Sequence, residues 1–272
     1  GIEPGCKDLQ SSASPLRHQA MGSIAGPLDR EGRSLSDRIV ACNARTYKRA
    51  RFLIFRLPED SPPMDFTQAR KIMVDSQVRV NDVTDRAIQA AMLAVPRERF
   101  CAPGRAHAAY AEVEVEIANG RRLMLARDVS KLLQALDARE GETALAIAAP
   151  YAAAVLARMG LTVTAQEADL AVMAVVEGGL VEAGVRPVVA PFDAPAGDGY
   201  DIVISEAAVG ARPQTWIDAL RVGGRLVVVE RTGAGGRAVL YVRGREGISR
   251  RELFDAAPPI LAEMAPRPAF AL

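Results

Sequence analysis

The sequence predicts an α/β chain built on a mostly parallel sheet and closed at its carboxyl end by an antiparallel hairpin. Three observations carry this. From residue 143 to residue 220, short runs that are apolar throughout alternate with helical stretches, the pattern of strands covered on both faces by crossover helices. The last two apolar runs, 225–230 and 238–243, are joined only by Arg231-Thr232-Gly233-Ala234-Gly235-Gly236-Arg237, too short a link for a crossover and so a hairpin. Finally, 272 residues of which 49% are hydrophobic can bury a sizeable core, with no need of disulfide staples.

Residues 1–63 read differently from the rest. They carry a basic excess, Pro, Gly and Ser punctuate their first half, and their one apolar patch, Phe52-Leu53-Ile54-Phe55, runs into Leu57-Pro58 and then Pro62-Pro63. Two readings stand: a disordered arm, or an extension foreign to the natural protein, favoured because Met64 opens a well-patterned region. Arg45–Arg56, with Arg beside Phe and Ile, also has the chemistry of a membrane-surface or targeting segment.

From Met64 the signals are regular, first a helical region over 64–140 and then an alternating core over 141–272. Asn81-Asp82-Val83-Thr84-Asp85 is a helix-start cluster, with Thr84 as the expected cap and Asp85 in the first turn; Ile88, Ala91, Met92 and Val95 share one face before Pro96 ends the helix. A second helix from about Asp128 places Val129, Leu132, Leu133 and Leu136 in one stripe. Strands are then expected at 143–148, 162–165, 187–190 and 201–205, and helices at 152–159, 168–183 and 213–220. Gly233-x-Gly235 reads as the turn of the final hairpin, because no helix follows it to make a phosphate cradle.

Composition narrows the function classes. With 34 basic against 33 acidic side chains and a net charge of +1, the chain is not a dedicated nucleic-acid binder. Thirty of the basic residues are Arg, so small Arg clusters carry little information. Cys6, Cys42 and Cys101 are odd in number and widely spaced, which suits the cytoplasm better than a secreted framework. No CxxC, HxxxH or HExxH occurs, so no metal site is expected. No apolar run reaches the roughly 20 residues that span a bilayer.

In an open parallel sheet the ligand crevice lies beyond the carboxyl ends of the strands. Here that puts Ala146-Ile147-Ala148-Ala149-Pro150-Tyr151 after the first strand and Glu167 after the second. The turn has no glycine, and Pro150 removes an amide donor, so it reads as structural. Glu167 reads equally as an acceptor for ribose hydroxyls or as a favourable charge at the next helix's amino end. Asp201 and Glu206 read as solvated or capping residues. His107, the sole histidine after residue 18, reads as a surface residue, which leaves no acid–base pair.

The segments Met73-Val74-Asp75-Ser76-Gln77-Val78-Arg79, Val83-Thr84-Asp85, Val95-Pro96-Arg97-Glu98-Arg99-Phe100, Ala109-Tyr110 and Leu220-Arg221-Val222-Gly223-Gly224-Arg225 resemble, in order and spacing, the protein-L-isoaspartate O-methyltransferases. The resemblance covers nearly all of 64–272. It implies a Rossmann-like methyltransferase domain that uses S-adenosylmethionine to methylate the α-carboxylate of L-isoaspartyl residues, with isoaspartyl-containing proteins or peptides as targets and no nucleic acid or membrane. Such chemistry suits a chain without an acid–base pair: the carboxylate is already ionised and the sulfonium leaves as a neutral thioether, so alignment does the work.

The resemblance also implies site residues, and several depart from the family pattern. The cofactor loop, an acid followed by Gly-x-Gly-x-Gly, appears as Ala146, Ala148, Ala149 and Tyr151 with the acid and glycines gone. The family's active-site Ser falls on Met124, its Asp or Asn after Tyr110 on Glu112, and its Gly-Asp-Gly turn has no counterpart in Ala190-Pro191-Phe192-Asp193. Glu167 alone keeps an adenosine-side position. Three readings follow: retained methyl transfer in a recontoured pocket, a catalytically silent binding or scaffold protein, and transfer to another acceptor through Arg121, Arg122 and Arg127.

Overall fold

Asp65 caps the first helix of the computed structural model, which describes residues 64–265; the expectations for 1–63 lie outside the described residues. Helix α1 (Phe66–Met73) widens into a π turn and then tightens into a 3-10 turn before α2 (Arg86–Ala94). The cap of α2 is Asp85, not Thr84: the Asp85 carboxylate accepts from the Ala87 amide at 2.7 Å, while the Thr84 amide is taken by Gln134 Oε1. Extended backbone at Asp85 lets its short side chain reach those amides.

Strands β1 (Val115–Ala118) and β2 (Arg121–Leu123) form a separate antiparallel hairpin. Its tip is Asn119-Gly120, with φ of 46° and 78°, the left-handed pair that a two-residue hairpin turn demands. Helix α3 (Ala126–Leu136) follows and buries the expected stripe of Val129, Leu132, Leu133 and Leu136.

The core then unrolls as β3 (Thr143–Ile147), α4 (Pro150–Arg158), β4 (Thr162–Glu167), α5 (Leu170–Glu182), β5 (Arg186–Val189), β6 (Tyr200–Val209), α6 (Gln214–Asp218), β7 (Leu220–Arg231), β8 (Gly236–Arg243) and β9 (Ile248–Asp255). The sheet order is β5-β4-β3-β6-β7-β8-β9. The first five strands pair in parallel, and β8 and β9 antiparallel. The expected hairpin is therefore a three-stranded meander. Its last strand escaped the pattern because Ser249, Arg250, Arg251 and Glu252 are exposed, the charged edge that keeps a terminal strand from pairing further.

Strand alternation sorts the apolar side chains onto two faces. Ala144, Ala146, Val163 and Ala165 join α3, α4 and α5 in one cluster. Leu145, Ile147, Val203, Leu226 and Val228 join Phe192, Trp216 and Leu261 in the other. Because the chain moves outward from β3 through β4 to β5 and then returns to the opposite side of β3 as β6, the topological switch lies between the carboxyl ends of β3 and β6. No helix among the described residues is long and apolar enough to cross a membrane.

Candidate functional site

The switch point gathers most of the residues singled out in the sequence. Strand β3 ends at Ile147; Ala148 turns the chain with φ of 49°, Ala149 is the amino-terminal boundary of α4, and Pro150 opens it. Ala146, Ala148, Ala149 and Tyr151 are all buried by protein. Ala148 packs in one cluster with Phe192, Ala207 and Trp216, and the Trp216 indole N–H donates to the Phe192 carbonyl at 2.6 Å. These residues pack against the turn at the carboxyl end of β3.

Glu167, only 4% exposed, stands at the end of β4. Its Oε1 accepts from the Ala168 amide at 2.9 Å and from Arg121 Nη2 at 3.2 Å. Burial pushes its carboxyl above the ordinary range, and the Arg121 guanidinium works against that rise. Arg121 comes from the β1–β2 hairpin and lies 5.0 Å over the Phe192 ring. The hairpin tip is fastened as well, since Asn119 Nδ2 donates to Asp169 Oδ2 at 2.8 Å and Asp169 caps α5.

Gln166, the residue before Glu167, escaped the sequence reading. Its amide nitrogen donates to the Pro191 carbonyl at 2.6 Å and to that of Ala194 at 3.0 Å, and its oxygen accepts from the Ala196 amide at 2.9 Å. It staples the segment after β5 against the sheet and so seats Phe192. A polar residue in a buried strand was the available signal.

Beneath the turn lies a buried polar cluster. Glu206 is 1% exposed. It sits where β6 loses register with β7 between Ile204 and Ala208, a bulge that re-aims side chains. Its Oε1 accepts from the Ala152 amide at 2.6 Å, and the amides of Met124 and Tyr151 face the same carboxylate. Burial raises its pKa; Arg97 opposes the rise. Arg97, also 1% exposed, donates to the carbonyls of Ala109 and Met124 and lies 4.6 Å over the Tyr151 ring. Arg97 Nη1, the Tyr151 hydroxyl and Glu206 Oε2 have no hydrogen-bond partner. Of the two roles expected of Glu206, solvated or capping, burial excludes the first, and the Ala152 amide in the first turn of α4 donates to it.

Met124 is buried, with its backbone held between Arg97 and Glu206. Beside it a groove of about 650 Å³ opens between the amino end of α3 and the β7–β8 turn. Glu114, Asp128, Glu230 and Asp255 line it against Arg127 and Arg237. Arg127 pairs with Glu112 at 2.7 Å and Arg237 with Asp255 at 2.8 Å, so neither guanidinium is free for an anion. His107 is exposed, Arg122 is exposed with its charge acting on Glu114 of the groove, and Asp201 ties the start of β6 to Thr143 and Arg221.

No protein-family model matches the chain. Among curated proteins it is similar to the protein-L-isoaspartate O-methyltransferase of Methylorubrum extorquens, 33% identical over 208 residues that span 74% of this chain and 90% of the relative. It is also similar to that of Methylorubrum populi, 32% identical over 196 residues, 70% of this chain and 92% of the relative. Two solved structures share the fold. One, a protein-L-isoaspartate O-methyltransferase, superposes with a TM-score of 0.61 at 16% identity, covering 73% of this chain and 66% of its own. The other, a Plasmodium falciparum structure described as an enzyme of the same kind in complex with S-adenosyl-L-homocysteine, gives 0.62 at 14%, covering 74% and 100%.

Proposed function

Because the chain belongs to the protein-L-isoaspartate O-methyltransferase family, we propose that it keeps the family scaffold as a binding protein and no longer transfers methyl groups. The family reaction draws its methyl group from S-adenosylmethionine, a molecule with a ribose, an adenine and a charged amino-acid end. The residues here do not fit that group. Glu167, the one acid in place to receive ribose hydroxyls, is buried in an ion pair with Arg121. That pairing carries the proposal. Phe192 and Trp216 occupy the crevice beside Ala148, and a cradle without glycines presents Cβ atoms where backbone amides would approach a ligand.

The acceptor side agrees. Met124 has no hydroxyl to orient a carboxylate, and the open groove beside it has four carboxylates against two already paired guanidiniums. The groove is one open surface for a polypeptide partner.

Methyl transfer remains the reading favoured by the relatives, which bear that activity's name across 90% of their length. An incubation of the whole chain with isotopically labelled S-adenosylmethionine and an isoaspartyl peptide separates the two. The expected result is no labelled methyl ester above the protein-free background. Sustained turnover of label into the peptide would overturn the proposal and establish the methyltransferase.

A further inference from the structure

At each end of the switch point one side chain of the protein itself makes the contact that a ligand group would make. We infer that the cleft is self-liganded: the chain's own Glu206 carboxylate occupies the anion position at the amino end of α4, and Arg121 occupies the hydroxyl-donor position at Glu167. The inference rests on the donor-site reading above and goes beyond it by naming what fills each end.

At the first end, helix α4 begins straight after β3, where this architecture turns amide donors toward an anion. Pro150 contributes no donor, and Ala149 supplies no side-chain cap. The Ala152 amide donates instead to Glu206 Oε1 at 2.6 Å, with the Tyr151 amide facing the same group. Glu206 reaches it from the facing strand β6, on the bulge between Ile204 and Ala208. The charge delivered is of the sign that a bound anion would bring.

At the second end, ribose hydroxyls would donate to Glu167. Arg121 Nη2 makes that donation at 3.2 Å. The guanidinium covers the Phe192 ring and is itself largely buried, with its Nε lacking any partner. Asn119 and Asp169 pin the hairpin that carries it. Each end thus receives from the protein the hydrogen-bonding class that a nucleoside with an anionic tail would provide.

Two variants test the inference, with wild type beside them. Glu206→Ala vacates a carboxylate-sized space, so tens of millimolar formate should raise its melting temperature by about 3 °C or more over equal ionic strength of chloride, because a ligand bound only by the folded state stabilises it. If the variant is unfolded, formate should restore its folded circular dichroism. Arg121→Ala made on a Phe192→Ala background frees Glu167 and opens the space beneath the guanidinium, and adenosine should bind it at least about tenfold more tightly than Phe192→Ala alone, the effect of removing a competing donor worth about 1.4 kcal/mol. A blank in either variant, with wild type also silent, overturns the self-ligand inference and leaves the donor-site reading standing. Micromolar adenosine binding by wild type overturns both.

Discussion

Replacing Arg97 by alanine is expected to destabilise the fold by about 3–5 kcal/mol, the order of cost of leaving two buried carbonyls unpaired and a buried carboxylate without a nearby opposite charge. Arg97 is almost wholly buried, holds the carbonyls of Ala109 and Met124, and faces the Tyr151 ring. Its loss leaves those acceptors unpaired and leaves Glu206 buried without its compensating charge. The effect depends on pH with a definite sign. Glu206 titrates above its ordinary value because burial disfavours its charge, so its ionisation costs stability as pH rises through the folded value. Without Arg97 that value climbs further, so the deficit is largest near neutrality and shrinks on acidification as Glu206 takes up its proton. Urea titrations of wild type and Arg97→Ala at neutral and mildly acidic pH measure it. A deficit below about 1 kcal/mol, typical of an exposed charge, would contradict the role assigned here.

Trp216→Ala is the second large effect. Trp216 is fully buried in the cluster of Ala148, Phe192, Leu226 and Tyr241. Truncating such a side chain costs about 3–5 kcal/mol, and here it also removes the donor to the Phe192 carbonyl. For a domain of this size the melting temperature should fall by roughly 10 °C. Since Trp216 is the only tryptophan in the chain, Trp216→Phe is the useful companion: it keeps most of the packing, loses the hydrogen bond, and should fall between wild type and alanine. Equal stability of all three proteins would show that the crevice is not packed as described.

Much of the fold was legible in the sequence because strands covered on both faces are apolar throughout. Thr143–Ile147 and the 201–205 segment announced themselves that way, and the short Arg231–Arg237 link required an antiparallel return. The β1–β2 hairpin did not, because strands of four and three residues give too little period to read and Arg121-Arg122 masks the apolar side. Only Asn119-Gly120 signalled it. The α2 cap was misassigned by one residue, since Thr84 and Asp85 are both capping types and only the backbone angle at Asp85 decides.

The candidate site was legible as a place and not as an arrangement. Glu167, Ala148 and Tyr151 could be located by position in the fold, but their partners come from far along the chain. Arg121 reaches Glu167 across 46 positions and Glu206 reaches Ala152 across 54. Arg97 looked like one Arg among thirty, and its burial is a property of packing alone. Gln166 was hidden for the same reason: its partners, the backbone groups of residues 191–196, lie on a loop that has no pattern of its own.

Calorimetric titration of S-adenosylhomocysteine and S-adenosylmethionine into the whole chain tests most directly whether the protein fills its own donor site. A self-filled site gives no binding heat up to millimolar ligand from a protein whose circular dichroism shows it folded. Saturable binding in the micromolar range would contradict it.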